Sequence, residues 1–229
     1  MPRDSLCGLV VSNELLDAFA VHRVVCRNDS LCEVYVDVDD DMLVEREGPP
    51  STEELARYIA ANEIKLVEGQ TAEICLEVAT WVDMVSRVLV EGFVLTVDYG
   101  AETSALYDPE RVRESLVCQH RYQLNTDPLT RVGGQDITAH VDFGNLRRCG
   151  KLANFDVIGD VSLAVVLVGF GAVEDLSRDP SGEPLGAHDL RRYLGLRHLL
   201  FTEIGDAHRV ILQCKGVSPI PFSLDRLGR

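Results

Sequence analysis

The side chains best placed for chemistry lie in three short segments, two of which stand where apolar runs end. Ser12-Asn13-Glu14 follows the run Gly8–Val11, and Asp98-Tyr99 follows the run Phe93–Val97. Each places a carboxylate beside neutral hydrogen-bonding groups, and ligands of open α/β sheets bind beyond the carboxyl ends of the strands. The structural alternative is that Asn13 and Glu14 cap a helix and Asp98 anchors a turn.

The third segment is the densest polar cluster in the chain. Gln135, Asp136, His140 and Asp142 follow the pair Gly133-Gly134, where the backbone can be approached closely. An amide, two carboxylates and an imidazole could recognise a substrate or move a proton. Alternatively the segment is a loop bonded to itself, with Asp142 as the N-cap of a helix that begins at the next residue.

One metal-dependent alternative arises in this cluster. His140 and Asp142 have the His-x-Asp spacing of an Fe(II) facial triad, for which His198 or His208 would be the third ligand. Arg209 could then bind a carboxylate of 2-oxoglutarate. Such oxygenases need about eight alternating strands in a jelly roll, whereas this sequence has several helical stretches. The oxygenase is therefore the weaker interpretation.

Hydrophobic periodicity predicts the elements of the first half. Ser12-Asn13-Glu14 is expected to form a strand-to-helix corner leading into Leu15–Phe19. The other predicted elements are a hairpin of His22–Cys26 and Leu31–Val36, a helix from the capping box Ser51–Glu54 to Asn62, a longer helix from Ala72 to a left-handed cap at Gly92, and the strand Phe93–Val97.

The second half is less regular. A long coil is expected over Ala101–Gly134, and a linker over Ser177–Gly186. The predicted elements are a helix starting at Phe143, an apolar helix ended by Gly171, a helix over Leu190–Phe201 and a last strand over Arg209–Cys214. This order predicts an α/β fold with inserted hairpins.

Composition excludes several classes of function. Lys+Arg number 22 and Asp+Glu 37, a net charge of −15, which disfavours binding to nucleic acid or to an anionic membrane. No segment reaches the ~20 apolar residues of a transmembrane helix, and no signal peptide is recognised, so a cytoplasmic location is predicted. Seven cysteines without a CxxC pair argue against zinc and a disulfide framework. Cys26 and Cys32 could face each other across the hairpin, but packed thiols are expected.

Taken together, three blocks resemble the MidA family of class I S-adenosyl-L-methionine (SAM)-dependent methyltransferases. They are Ser12–His22, Gly92–Gly100 and Gln135–Phe143, in the family's order, and the similarity extends over most of the chain from Gly8 to Gly216. The resemblance implies a Rossmann-like core that binds SAM at the strand ends. Family members include a mitochondrial complex I assembly factor that methylates an arginine of a partner subunit, so a protein substrate such as a respiratory complex subunit is implied.

The resemblance also implies roles for individual residues. Asn13, Glu14 and Asp17 would be catalytic, and Ser12, Asn13 and Glu14 would bind SAM. The acceptor would be bound by Asp98, Tyr99, Gln135, Asp136 and His140, with no metal. Glu14 is expected to orient and partly neutralise a guanidinium during in-line transfer.

The sequence also departs from the family. Members begin with a half that holds the first three core strands and the glycine-rich SAM loop, whereas the first strand here corresponds to the fourth. We therefore expect one domain over 1–229 with a partial class I sheet lacking the first three strands. Residues 1–100 would hold core strands 4 and 5 with a hairpin and helix insertion, 101–176 a family-specific insertion, and 187–216 the final helix and strand.

Such a chain is expected to be inactive alone. A partner could supply the missing half. The alternatives are a non-catalytic interaction module that uses an exposed sheet edge, and a degenerate paralogue.

Overall fold

The chain folds into two compact units. The computed structural model describes residues 2–111, 115–121, 123–173, 187–201, 205 and 207–218, so the predicted linker Ser177–Gly186 lies outside the described residues. Unit 1 is drawn from Met1–Glu14, Val85–Tyr99 and Gly150–Arg229, and unit 2 from Leu15–Met84 and Gly100–Cys149. Each unit therefore combines segments that are far apart in sequence.

Strands and helices are interspersed along the chain, so the fold is mixed α/β. In chain order the described elements are β1 (Leu6–Asn13), β2 (His22–Arg27), β3 (Ser30–Asp39), β4 (Met42–Gly48), α1 (Glu54–Ala61), β5 (Thr71–Ile74), α2 (Glu77–Val88), β6 (Leu89–Ala101), α3 (Thr103–Leu106), β7 (Leu116–His120), β8 (Gln123–Asn125), β9 (Asp136–Ala139), β10 (Val141–Asp142), α4 (Phe143–Leu152), β11 (Asp156–Ser162), α5 (Leu163–Gly169), α6 (Ala187–Phe201) and β12 (His208–Lys215).

Unit 1 is built on a mixed sheet with the strand order β1-β6-β12-β11. β1 runs parallel to β6, whereas β12 pairs antiparallel with both β6 and β11. Along β6 the side chains of Val94, Thr96 and Asp98 are buried. On the opposite face the alternate residues Phe93, Leu95 and Val97 are partly buried and pack with Ile158, Val210, Leu212 and Cys214 of the neighbouring strands β11 and β12. Leu163 and Val166 of α5 pack against the same cluster, so this face of the sheet is partly covered by a helix.

A glycine lets the two parallel strands approach closely. Gly92 of β6 is paired with Gly8 of β1 and has a φ of +142°. A Cβ at Gly92 would lie 1.9 Å from the Gly8 carbonyl oxygen, which no side chain could tolerate. The Gly92 that seemed to cap a helix is therefore required inside a strand.

Unit 2 contains two antiparallel sheets, with the strand orders β4-β3-β2-β5 and β8-β7-β9. Its core includes the buried residues Val24, Leu55, Tyr58, Ile74 and Leu106. The short strand β10 pairs in parallel with Gly100 and Ala101, the last residues of β6. This pairing sets the position of α4, which begins directly after β10.

Two helix predictions are wrong. Leu15–Phe19 forms turns rather than a helix, because Glu14 has a left-handed φ of +45° and the Asp17 carbonyl accepts a hydrogen bond from Ala139 N–H. The long predicted helix starts only at Glu77. Residues Thr71–Ile74 instead form β5, because antiparallel pairing with β2 overrides their helical spacing.

The predicted coil over Ala101–Gly134 is also wrong. It contains α3, β7 and β8, and β7 pairs with β9, which lies outside the predicted coil. Short strands of this kind form because they pair with strands that are distant in sequence. Their own sequences show little hydrophobic periodicity from which a strand could be predicted.

Several local predictions are confirmed. The β2–β3 hairpin, α1, α6 and β12 lie where turn chemistry and periodicity placed them. Asp142 caps α4, accepting a 2.9 Å hydrogen bond from Asn145 N–H, and α5 ends before Gly171, whose φ is +87°. Cys26 and Cys32 are free thiols whose register partners are Leu31 and Val25. In the part of the chain that the structure describes, no helix is both long and apolar enough to cross a bilayer.

Candidate active site

The candidate site in unit 1 lies where β1 ends beside its parallel partner β6, which continues to Ala101. The prediction that Asp98 and Tyr99 follow the end of a strand is wrong: both lie within β6, because β12 pairs with them. Asn13 is the register partner of Val97, and the next residue, Glu14, donates its backbone N–H to the Val97 carbonyl at 2.9 Å. Parallel strands present their carboxyl ends at one edge, so the predicted segments 12–14 and 98–99 meet there. The structure thus brings together Ser12, Asn13, Glu14, Asp98 and Tyr99.

Glu14 combines a strained backbone with an accessible carboxylate. Its φ of +45° is uncommon for a residue with a side chain, and such residues concentrate at functional sites. Oε1 lies 3.3 Å from Nε2 of His208, and the Glu14 side chain is 46% exposed whereas that of His208 is 5% exposed. The carboxylate is therefore held at one oxygen and open to solvent and ligands.

The His208 side chain contacts both Glu14, which follows β1, and Tyr99 of β6. It begins β12 directly opposite Tyr99 in register, and the two rings lie 3.8 Å apart between centroids. The Asp98 side chain is fully buried, and it accepts a 2.9 Å hydrogen bond from Tyr99 N–H. The tilted ring contact, with 46° between the ring planes, positions the Tyr99 ring, and the hydrogen bond positions its backbone. His208 in turn orients Glu14.

The hydroxyl of Ser12 points inward. It is buried and donates a 3.0 Å hydrogen bond to the Thr96 hydroxyl, its register partner on β6. Asn13 and Glu14 are exposed. Ser12 therefore ties the strand ends together, and the next two residues offer their side chains outward.

The Glu14 carboxylate at this edge can attract a cation. Arg209 is the register partner of Asp98, but its guanidinium binds Asp160 at 3.0 and 2.5 Å. The open Glu14 carboxylate therefore faces no competing guanidinium from that neighbour. The sulfonium of SAM and an arginine guanidinium are both cations, so the negative charge of Glu14 would attract either one.

The remaining predicted residues lie in unit 2. Asp17 is buried, and its carbonyl binds Ala139 N–H. Gln135 closes a loop: its Nε2 donates to the Asp127 carbonyl at 3.0 Å, and its Oε1 accepts from Asn125 at 3.1 Å. Asp136 is exposed at the start of β9. Of these three, Asp136 offers the accessible charge.

His140 has a shifted acidity. Its Nδ1 lies 3.1 Å from Nη2 of Arg111. Burial and the positive charge of Arg111 lower the pKa of His140 below its usual value. The imidazole is therefore neutral at neutral pH and can accept a proton or a hydrogen bond.

Asp142 has a structural role that weakens the oxygenase alternative. Its Oδ1 accepts hydrogen bonds from Thr103 at 2.5 Å and from Asn145 N–H, and its Oδ2 accepts one from Tyr58 at 2.7 Å. Both oxygens are thus used to hold α4. Among the described residues, no three His, Cys, Asp or Glu side chains cluster as metal ligands would.

Sequence reasoning missed His208 and Arg111 as members of these clusters. His208 contacts Glu14 across 194 positions of sequence, and no spacing rule connects them. A usable signal was present in the resemblance itself, since it already extended to the last strand. Arg111 lies in the segment predicted to be coil.

A family model and one solved structure point to SAM-dependent methyl transfer. A family model described as "Putative S-adenosyl-L-methionine-dependent methyltransferase" matches residues 2–161. The crystal structure of a "likely methyl transferase" from Burkholderia thailandensis, bound to S-adenosyl-homocysteine, is 28% identical with a TM-score of 0.81. A native crystal structure of an uncharacterized protein from the same organism is 29% identical, also with a TM-score of 0.81. No curated protein matches the sequence.

The match to these structures is one-sided. It covers 95% and 94% of this chain, but 56% and 57% of the two Burkholderia chains. This chain therefore spans little more than half the length of the solved structures that it resembles.

Proposed function

We propose, since this chain belongs to the SAM-dependent methyltransferase family whose model it matches, that it forms the acceptor side of a methyl-transfer site. The acceptor is the guanidinium of an arginine in another protein, and the MidA resemblance suggests a respiratory complex subunit. The observation that carries this proposal is the half-exposed Glu14 carboxylate at the end of β1, beside β6.

SAM supplies an electrophilic methyl group on a sulfonium, which an acceptor nitrogen attacks in line. The chain's own task is to hold and orient that nitrogen. Asn13 and Glu14 would bind donor and acceptor, because their side chains are exposed at the strand ends. Ser12 and Asp98 are buried and act as positioning residues, through Thr96 and Tyr99 respectively.

Glu14 supports the proton balance of the reaction. Its Oε2 accepts no hydrogen bond from any described residue, so it is open to an N–H of the guanidinium. As the N–CH₃ bond forms, the S–CH₃ bond breaks and S-adenosyl-homocysteine leaves as a neutral thioether. The attacking guanidinium nitrogen loses a proton, which the open Oε2 would accept. A charge-assisted hydrogen bond of this kind contributes about 1.5–3 kcal/mol.

Four residues of unit 2 are assigned roles of their own in recognising the acceptor protein. Asp136 and His140 would contact the acceptor protein, the first through an exposed carboxylate and the second through a neutral imidazole. Asp17 and Gln135 would position β9 and its loop through their backbone and amide hydrogen bonds.

The test follows labelled methyl from SAM into protein. The chain is assayed alone and fused to the part of the Burkholderia protein that it does not cover, with proteins of the source cell as acceptors. We expect methylarginine after acid hydrolysis, and about 100-fold less of it with Glu14→Gln. Glu63→Gln is the matched control, because Glu63 is also exposed and left-handed, with a φ of +54°.

Two outcomes would count against the proposal. Label in lysine or another residue would refute the arginine acceptor while leaving the methyltransferase intact. No label with either protein, together with a stable stoichiometric complex in pull-downs, would favour the non-catalytic interaction module.

A further inference from the structure

A second concave site lies wholly within unit 2. A cavity of about 420 Å³ is lined by residues of α1, α2, α4 and the segment between β5 and α2, among them Leu76, Ala79, Thr80 and Arg148. Its volume falls within the range of about 300–1,000 Å³ typical of small-molecule sites. None of its lining residues belongs to the acceptor set described above.

The guanidinium of Arg148 is held in this wall by neutral groups. Its Nε donates to the Asn62 amide oxygen at 3.0 Å, and its Nη2 donates to the Asn145 amide oxygen at 2.9 Å. Both amides are themselves fixed: Asn62 Nδ2 donates to the Tyr58 carbonyl and to Asn145, which is buried. The position of the charge is therefore set before any ligand arrives.

Arg148 has no carboxylate partner among the described residues, and its Nη1 donates no hydrogen bond to them. This is unusual in a chain with 37 acidic and 22 basic residues. A partly buried cation without a counterion is electrostatically unfavourable. A bound anion would supply the missing charge and accept the remaining N–H groups.

The other charges in the cavity wall are already balanced. Arg57 binds Glu53 at 2.9 Å and also pairs with Glu54, the acidic residue of the lining. Burial raises the pKa of the Cys75 thiol, so Cys75 adds no negative charge at neutral pH. Leu76, Ala61 and Ala79 make the rest of the wall largely apolar. The cavity thus combines apolar surface with one positive charge that no carboxylate of the described residues pairs with.

We propose that this cavity binds a small organic carboxylate with an apolar body, whose carboxylate pairs with Arg148 and whose body packs against Leu76 and Ala79. The site goes beyond the proposed methyl transfer and does not depend on it. It would give the protein a binding function for an organic acid that is separate from the methyl acceptor.

Phenylacetate is the probe, and phenylacetamide is the neutral control of the same shape. Binding to the full chain is followed by amide chemical shifts of Ala79 and Thr80 in ¹⁵N NMR spectra. We expect saturable shifts with phenylacetate, and binding at least about tenfold weaker for phenylacetamide. Arg148→Met should weaken phenylacetate binding by at least about tenfold.

The double variant Arg57→Met with Glu54→Gln is the matched control, because it removes a balanced pair from the cavity wall and leaves the net charge of the wall unchanged. We expect less than a threefold change in the dissociation constant. Equal binding of the acid and the amide would overturn the proposal, as would no binding or an Arg148→Met variant that binds like the original chain. The acid and amide comparison decides the question even if Arg148→Met fails to fold.

Discussion

The local surroundings of His140 couple its protonation to the stability of unit 2. Folding places the imidazole in a partly buried position 3.1 Å from the Arg111 guanidinium, and both features oppose a second positive charge. The folded pKa therefore lies below the unfolded value of about 6.5. Between the two values the unfolded chain binds more protons than the folded chain.

The sign of the pH dependence follows from this difference. Stability from neutral His140 is complete above about pH 6.5 and is lost as the pH falls through the lower folded pKa. We expect His140→Gln to lose less stability between pH 7.5 and 5.5 than the original chain, measured by urea unfolding. His198→Gln removes an exposed histidine and serves as the control. Parallel pH profiles for His140→Gln and the original chain would refute this assignment.

Single residues also show how far sequence reasoning could go at the site. Glu14 could be placed at the end of β1 because the apolar run before it is unmistakable. The prediction that Asp98 ends a strand is wrong, because pairing with β12 and β10 extends β6 to Ala101. The burial of Ser12 and Asp98 could not be predicted. The first depends on the register of Ser12 with Thr96, and the second on the pairing of β12 alongside β6. The Glu14–His208 contact spans 194 positions of sequence and depends on the antiparallel pairing of β12 with β6, which no local pattern encodes.

At the level of elements, the pairing of β1 with β6 depends on one glycine. Gly92→Ala would place a Cβ 1.9 Å from the Gly8 carbonyl oxygen, at a φ that disfavours side chains. The strands would have to separate, so we expect a loss of about 2–4 kcal/mol in unfolding free energy. Chemical denaturation followed by circular dichroism measures this loss.

Gly195→Ala is the matched control for that experiment. Gly195 is exposed within α6, where an added Cβ meets nothing within 4 Å. We expect a gain of about 0.5–1 kcal/mol, because alanine favours the helix. Similar effects of the two substitutions would show that the close approach of β1 and β6 is not required for stability.

The elements that sequence reasoning predicted share a common property. The β2–β3 hairpin and the capped start of α4 are specified by neighbouring residues, a turn and the Asp142 side chain. α1 lies where it was predicted, but its N-cap is Glu53, whose side chain makes no capping hydrogen bond. β5 and β7 are specified by strands elsewhere in the chain, and both were assigned wrongly. Periodicity alone therefore identifies locally encoded elements and misses those formed by tertiary pairing.

At the scale of the whole molecule, charge should govern the encounter with an acceptor. The net charge of −15 creates a negative potential that attracts a basic segment before contact. Near the strand ends, Arg209 is neutralised by Asp160 and leaves the Glu14 carboxylate as the local charge. An arginine acceptor would therefore be attracted both at long range and at the site.

This attraction predicts a strong dependence of association rate on salt. For a fluorescent peptide containing several arginines, we expect the association rate constant in stopped-flow measurements to fall about tenfold between 20 and 200 mM NaCl. The same peptide with citrulline in place of arginine keeps the shape and removes the charge, so its rate should change little. Equal salt dependence of the two peptides would show that charge does not guide the acceptor, and the proposed recognition would then rest on Glu14 contact alone.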